Sequence, residues 1–450
     1  MPVDSTHPQY DAMLPVWRRM RDAVEGEDAI RAKGAYYLPA GDLKGGEQGR
    51  AYRNYLQRAR YPEAVADAID GMVGLMGRKP AEISLPERVE GLKERATPDG
   101  LPLDVLLHRA RTEVCTTGRH ALLVDLDDSG EPVIAEYRAE TLINWRADGD
   151  TITLAVFCEE VEGEDGDEFE RETVEQYRVC RLDADGFYAV ELYRRTGDEG
   201  KLALYDRVEP LRKGERLTFV PVVPLGSRDL LPAPDAVPLR AVANKSLHYY
   251  RQYADYAQQL HWSSMATTPY MTGIDGESAP STIGPGTMLC LSDPSASVGF
   301  LETSGQGGEL QREELRQIET EIARATVQAL SEGRRQVESG DALRLRFQSQ
   351  TATLASIATS TAEGLKRALR WCAWWAGADE DAVTVEQSTS FISESPDAGL
   401  LNALYEGVDR GQVPLDVLHG YLRRTELTDM DAETLRQWTP AALGIEEPEE

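Results

Sequence analysis

The run VPLRAVANKSLHYYRQYADYAQQLHWSSMA, residues 237–266, sets Leu239, Val242, Leu247, Tyr250, Ala254 and Leu260 on one imperfect apolar stripe, which predicts a long helix. A second run, GELQREELRQIETEIARATVQAL at 308–330, places Leu315, Ile318, Ile322, Ala325 and Ala329 three and four apart, a coiled-coil-like seam two heptads long. Between them, Pro269 to Glu302 is rich in Gly, Pro, Ser and Thr, with short β-like pieces such as Met288-Leu289-Cys290-Leu291. Two long helices therefore bracket a compact module. Helices of this length are stabilised mainly by burying one face, so each predicts a packing partner along its length.

Upstream, Pro221, Pro224, Pro232, Pro234 and Pro238 predict a boundary, because proline lacks the amide hydrogen that regular elements use. Before them the pattern alternates with period two. Ala121-Leu122-Leu123-Val124-Asp125-Leu126 and Pro132-Val133-Ile134-Ala135-Glu136-Tyr137 flank the turn residues Asp127-Asp128-Ser129-Gly130, which predicts a β-hairpin. Further strands are predicted at Thr151–Cys158, Val174–Leu182, Phe187–Tyr193 and Leu202–Val208, an antiparallel unit laid on helices. The first eighty residues read as helical: Tyr10, Met13, Leu14, Trp17 and Met20 share a helical spacing, a Gly-rich loop covers Gly41–Gly49, and a second helical stretch runs from about Arg50 to Met76. Leu103, Leu106, Leu107 and Ala110 share one face of a helix that stops at Thr117-Gly118.

Downstream of the second long helix, Ser331–Arg346 is polar and basic. A third long helix spans Phe347 to Trp375, opening on the Thr- and Ser-rich run 348–361 and closing on Trp371, Trp374 and Trp375. A strand-like piece at Val383–Val385, helices around Ala398–Asp409 and Leu415–Arg424, and an acidic tail complete the chain. The expected class is α+β, with helices dominant.

Across 450 residues, 77 acidic against 48 basic side chains leave a net charge of −29. Apolar residues are spread along the whole length, so the charge marks a folded acidic surface rather than a disordered chain. Such a surface does not grip nucleic acid by counterion release, which needs Lys and Arg against phosphates. DNA, if a partner, is guided rather than held. No apolar run approaches the ~20 residues that span a bilayer, and Met1-Pro2-Val3-Asp4 lacks a basic targeting segment, so a soluble chain made in the cytosol, with no membrane partner, is expected. Cys115, Cys158, Cys180, Cys290 and Cys372 form no CxxC pair and read as reduced thiols.

Catalytic signatures are missing. The chain contains no GxGxxG, GxxxxGK[ST], HExxH or GxSxG, and its six histidines have no metal-ligand spacing. No catalytic residue, metal site or cofactor is therefore predicted. Asp125, Asp127, Ser129, Gly130 and Glu136 match positions 1, 3, 5, 6 and 12 of a calcium loop, but that loop joins helices whereas these flanks alternate like strands, so the hairpin reading is preferred. The acidic stretch Glu159–Glu172, including Asp165, Asp167 and Glu168, reads as a solvated loop. Arg334, Arg335, Arg344 and Arg346 form the one basic concentration flanked by turn residues; Arg334 and Arg335 would also suit a helix C-terminus.

Several word-level motifs, in collinear order, resemble the portal proteins of tailed bacteriophages, in a subfamily long known only as a domain of unknown function. They include His7-Pro8-Gln9-Tyr10, Tyr37-Leu38-Pro39, Gly71-Met72-Val73-Gly74-Leu75, Arg78-Lys79-Pro80, Thr117-Gly118-Arg119, Ile143-Asn144-Trp145, His248-Tyr249-Tyr250, Gly299 to Gly305 and the tryptophan-bearing stretch Thr361 to Gly377. The resemblance implies a portal fold: an N-terminal wing at 1–235 built of helices and the β unit, stem helix 1 at 236–268, a small α/β clip at 269–304, stem helix 2 at 305–331, a tunnel loop at 332–348, a long wing helix at 349–378 and a crown region at 379–450.

It further implies a non-enzymatic ring of about twelve copies at one vertex of the virion capsid, through which double-stranded DNA is packaged and ejected. Terminase large subunit, head–tail adaptor and major capsid protein would be its partners. Leu247, Tyr250, Leu315, Ile318 and Ile322 would pack the stem helices, and Arg334, Arg335, Arg344 and Arg346 would lie near DNA. The alternatives are another connector or scaffold-type phage protein, and a soluble carboxylate-dependent hydrolase.

Overall fold

A computed structural model describes all residues except 1, 42, 44, 128, 163–172, 197–200, 265–267, 273–294, 296, 302–305, 331–339, 390, 392–397, 426, 429, 431–433 and 435–450. The fold is α+β, in two units, 1–387 and 388–450. The first unit opens with helix α1 (Pro8–Glu25), whose first turn is preset by Pro8 and capped by the His7 ring accepting from Gln9 N–H. Gly26, at φ +96°, separates it from α2 (Glu27–Ala32). The stretch expected to be one helix from Arg50 to Met76 is two, α3 (Arg50–Arg58) and α4 (Ala64–Gly77). Pro62 lies in the break, where it bars a continuous helix by lacking an amide hydrogen.

A short strand, β1 (Glu82–Ser84), leads to α5 (Leu103–Thr117). Helix α5 ends at Gly118, φ +72°, where a Cβ would stand 2.6 Å from the Ala236 carbonyl oxygen, so only glycine fits. The chain reverses directly into β2 (Arg119–Leu126) and β3 (Pro132–Arg138). Their register sets Asp125 opposite Val133 and Glu136 opposite Leu122. Asp127 Oδ1 accepts the amides of Ser129 and Glu131, which makes the calcium-like sequence a hairpin turn, while Glu136 takes Arg109. No group of three or more His, Cys, Asp or Glu arranged for a metal occurs among the described residues.

Next come β4 (Leu142–Asp148), β5 (Thr151–Glu162), β6 (Thr173–Leu182), β7 (Tyr188–Thr196) and β8 (Lys201–Val208), paired in that order as one antiparallel sheet. Strand β5 runs beyond its expected end at Cys158, so Glu159–Glu162 belong to the sheet rather than to a solvated loop. The reason is local partnering: Glu159 accepts from Tyr137 Oη, Gln176 Nε2 and Arg178 Nε. Asp165, Asp167 and Glu168 lie outside the described residues.

The small strands β9 (Leu211–Arg212) and β10 (Glu215–Arg216) precede β11 (Val222–Gly226), which joins β2 and β3 in the order β11-β2-β3. Pro224 therefore sits inside a strand, against the expected proline boundary. Val124 N–H donates to Pro221 O, so hydrogen bonds fall on alternate pairs of this ladder and Pro224, opposite Ala121, occupies a position that needs no amide.

The chain continues through α6 (Arg240–Ser264), β12 (Thr268–Thr272), β13 (Ser297–Leu301), α7 (Gln306–Leu330), α8 (Gly340–Ala376) and β14 (Thr384–Glu386), which pairs with β1. Helix α8 covers the edge of β11. Ser360 Oγ donates to Gly226 O and Ser356 Oγ to Ser227 O, which gives two hydroxyls of the Ser- and Thr-rich run a packing role. Gly364 permits the approach, since a Cβ there would lie 2.0 Å from Leu225 Cδ2.

The second unit contains α9 (Ala398–Asp409) and α10 (Leu415–Arg424), as the apolar spacing predicts. Cys115, Cys180 and Cys372 are buried free thiols and Cys158 is a half-buried one; Cys290 lies outside the described residues. No helix among the described residues is long and apolar enough to cross a membrane.

Candidate functional site: the paired long helices and their strand pair

Helices α6 and α7 each run 25 residues, about 37 Å at 1.5 Å per residue. They are antiparallel. Lys245 pairs with Glu321, Tyr249 Oη donates to Glu319 Oε1 at 2.9 Å, and the Gln259 side chain lies against Gly307. Fourteen residues forward on α6 thus match fourteen back on α7, about 21 Å of side-by-side contact. Leu315, Ile318 and Ile322 are buried along α7, as are Leu247 and Tyr250 on α6, so the structure buries all five residues expected to pack these helices. Each aliphatic side chain so buried contributes about 1.5–3 kcal/mol relative to exposure.

Contacts from far upstream clamp α6. Tyr55 Oη donates to Asp255 Oδ1 at 2.6 Å, Arg58 Nη1 to Gln258 Oε1 at 2.7 Å, and Arg251 Nε to Tyr37 O at 2.8 Å. Burial and the neighbouring Asp255 carboxylate raise the Tyr55 pKa, which keeps this phenol a donor. The Tyr250 ring meets Tyr61 edge-on at 6.2 Å, and burial pushes its phenol up to about 12. Apolar spacing could not single out Asp255 or Gln258, because their partners stand 200 residues away.

The outer side of the pair is open. On α7, Glu309, Arg312, Glu313, Glu314 and Arg316 are exposed, and Leu310 is 75% exposed; on α6, Leu260 is 52% exposed. Along α6, Tyr249 stacks on Tyr253 with centroids 5.7 Å apart, and Tyr253 meets Tyr256 edge-on at 6.3 Å. Beyond the helices the chain stays paired: β12 and β13 are antiparallel, with Thr268 opposite Leu301 and Thr272 opposite Ser297. The helical hairpin thus continues into a strand pair. Residues 273–294, including the β-like piece 288–291, lie outside the described residues.

The four arginines do not form one loop. Arg334 and Arg335 lie outside the described residues, whereas α8 begins at Gly340, seven residues before the expected Phe347, and takes Arg344 and Arg346 into the helix. Asp341 suits a helix first turn, and Ala342, Leu343 and Leu345 are strong helix formers with no proline or glycine following until Gly364.

A family profile matches this region. It is that of a domain of unknown function, DUF4055, and it covers residues 238–376, from the start of α6 through α8. The N-terminal motifs of the sequence resemblance lie outside that span. No curated protein matches the chain in sequence. Among solved structures, the chain is similar to one in the virion of a native gene transfer agent particle, at 13% identity and TM-score 0.40, covering 93% of this chain and 99% of that one. It is also similar to one in the neck of an empty gene transfer agent particle computed with C6 symmetry, at 12% identity and TM-score 0.42, over 85% and 90%. A third is an HK97-family phage portal protein from Corynebacterium diphtheriae, at 12% identity and TM-score 0.29, over 79% and 97%.

Proposed function

We propose that this chain is a portal-type subunit of a tailed-phage particle, a non-enzymatic ring component that lines a channel for double-stranded DNA. The observation that carries this reading is the antiparallel pair α6–α7 prolonged by the strand pair β12–β13. An arm of this kind, held along the second half of α6 by upstream residues and exposed along α7, can stand beside copies of itself and enclose a tube. The strand-paired end would meet the packaging ATPase, the terminase large subunit, and later a head–tail adaptor, while the β-rich N-terminal part would face the major capsid protein.

The charge supports the same reading. A translocating duplex must not be trapped, and each tight phosphate contact would be a barrier to motion. A net charge of −29 with a few arginines near the passage meets that need. Arg334, Arg335, Arg344 and Arg346 are the DNA-proximal candidates, the last two within the first turns of α8. About twelve copies are expected in the ring.

Negative-stain imaging with native mass measurement of the purified chain tests the proposal. Rings with a central hole of duplex width, ~20 Å or more given a duplex whose major groove alone is ~12 Å wide, are the expected result. A monomer or small closed oligomer under all assembly conditions would overturn it and favour a hydrolase-like globule; solid or open-ended assemblies would favour a scaffold-type protein.

A further inference from the structure

A cavity of about 1010 Å3 opens between α5, the β2–β3 hairpin and strands β5 and β6. Seven carboxylates line it against two guanidiniums, those of Arg109 and Arg138. Part of this charge is matched internally: Arg21 donates to both oxygens of Glu113 and of Glu140, and Glu159 is held by Tyr137, Gln176 and Arg178. Asp99 and Glu160 are exposed at the rim, neither paired with a cation among the described residues. Glu136 takes Arg109 on Oε1 at 2.7 Å and leaves Oε2 for another group.

His120 supplies an independent observation. It lines the same cavity, is 1% exposed, and has no hydrogen-bond partner on either ring nitrogen among the described residues, although a neutral imidazole carries one donor and one acceptor. Such buried groups are ordinarily satisfied. Its Nε2 lies 3.7 Å from Glu136 Oε2. That gap is too long for a hydrogen bond and suits a third group touching both. An ammonium supplies the matching donors, one N–H for the carboxylate and another for the acceptor nitrogen of the imidazole. Burial lowers the His120 pKa, which leaves that nitrogen unprotonated at neutral pH; the charged groups facing it are Glu113 from α5, Glu136 and Arg138 from β3, and Arg21 from α1.

We propose that this cavity is a socket for a lysine-bearing segment of a partner polypeptide, with the lysine ammonium bridging Glu136 and His120 and flanking cations meeting Asp99 and Glu160. The cavity volume suits a side chain with its neighbours, and no metal-type cluster of three ligands is present among the described residues. This inference does not depend on the ring reading.

Titrating the full chain with a tetralysine peptide tests it. Saturable one-site binding is expected, weakened about tenfold by Glu136→Gln and by the rim pair Asp99→Asn/Glu160→Gln, but changed less than about twofold by Glu313→Gln/Glu314→Gln, which removes equal charge from the exposed face of α7; a tenfold change corresponds to ~1.4 kcal/mol. Binding should also weaken as pH falls and His120 protonates. The rim pair keeps the test decisive if Glu136→Gln fails to fold. Equal affinity in every variant would mean diffuse attraction to an acidic surface and would overturn the proposal, as would absence of tetralysine binding or displacement of the peptide by millimolar Mg2+ alone.

Discussion

At Gly364 the backbone of α8 and the side chain of Leu225 approach so closely that a single methyl group cannot be added without moving one of them. Gly364→Ala should therefore destabilise the first unit by about 1–3 kcal/mol despite its better helix propensity, read as a lowered urea midpoint. Leu225→Ala should cost less when introduced alongside it than on its own, because the two changes share one contact. His120 acts through protons. The folded chain holds its imidazole less basic than the unfolded chain does, so the folded state binds fewer protons. Its contribution is complete above the ordinary histidine pKa of about 6.5 and is lost as pH falls below it towards the depressed folded value. The urea midpoint of the unmodified chain should thus fall more between about pH 7 and pH 5.5 than that of His120→Gln. A parallel decline in both would assign the acid sensitivity to the carboxylates.

At the scale of elements, α7 buries one narrow stripe and leaves the remainder to solvent, so its stability should depend on few positions. Ile318→Ala, at a residue 3% exposed, should cost about 2–4 kcal/mol and speed amide exchange along the centre of α7, whereas Leu310→Ala, at 75% exposure, should change stability by no more than about 0.5 kcal/mol. Equal effects would mean that the stripe is not what holds the pair together. Element types were legible wherever the apolar period was long: both long helices and the β2–β3 hairpin follow directly from spacing. Boundaries were not. The polarity around Arg344 and Arg346 suggests a loop, yet helix propensity from Asp341 onward prevails. Pro224 reads as a breaker in sequence, yet an edge ladder has positions that need no amide.

For the molecule as a whole, a net charge of −29 on each copy opposes association at low ionic strength. Raising salt from about 0.05 to 0.5 M shortens the Debye length from well above 10 Å to below it, so native mass should show more of the proposed ring at the higher salt. An opposite trend would mean that interfacial ion pairs dominate assembly. Binding to duplex DNA at physiological salt should be no tighter than the weak end of non-specific affinities, ~10⁻⁴ M, by gel shift or filter retention.

Local repetition of apolar residues was enough to determine that this chain has two long helices around an insert, a β-rich segment before them and a third long helix after. Those patterns involve residues three, four or two positions apart, and the chemistry of each is complete within a turn or a pleat. Only the tertiary structure decided that Asp255 is clamped by Tyr55, that the hydroxyls of Ser356 and Ser360 cap the carbonyls at the end of β11, and that His120 lies unpartnered beside Glu136. These are meetings of residues up to 200 positions apart, which no local period encodes because chain folding alone sets the distances between them.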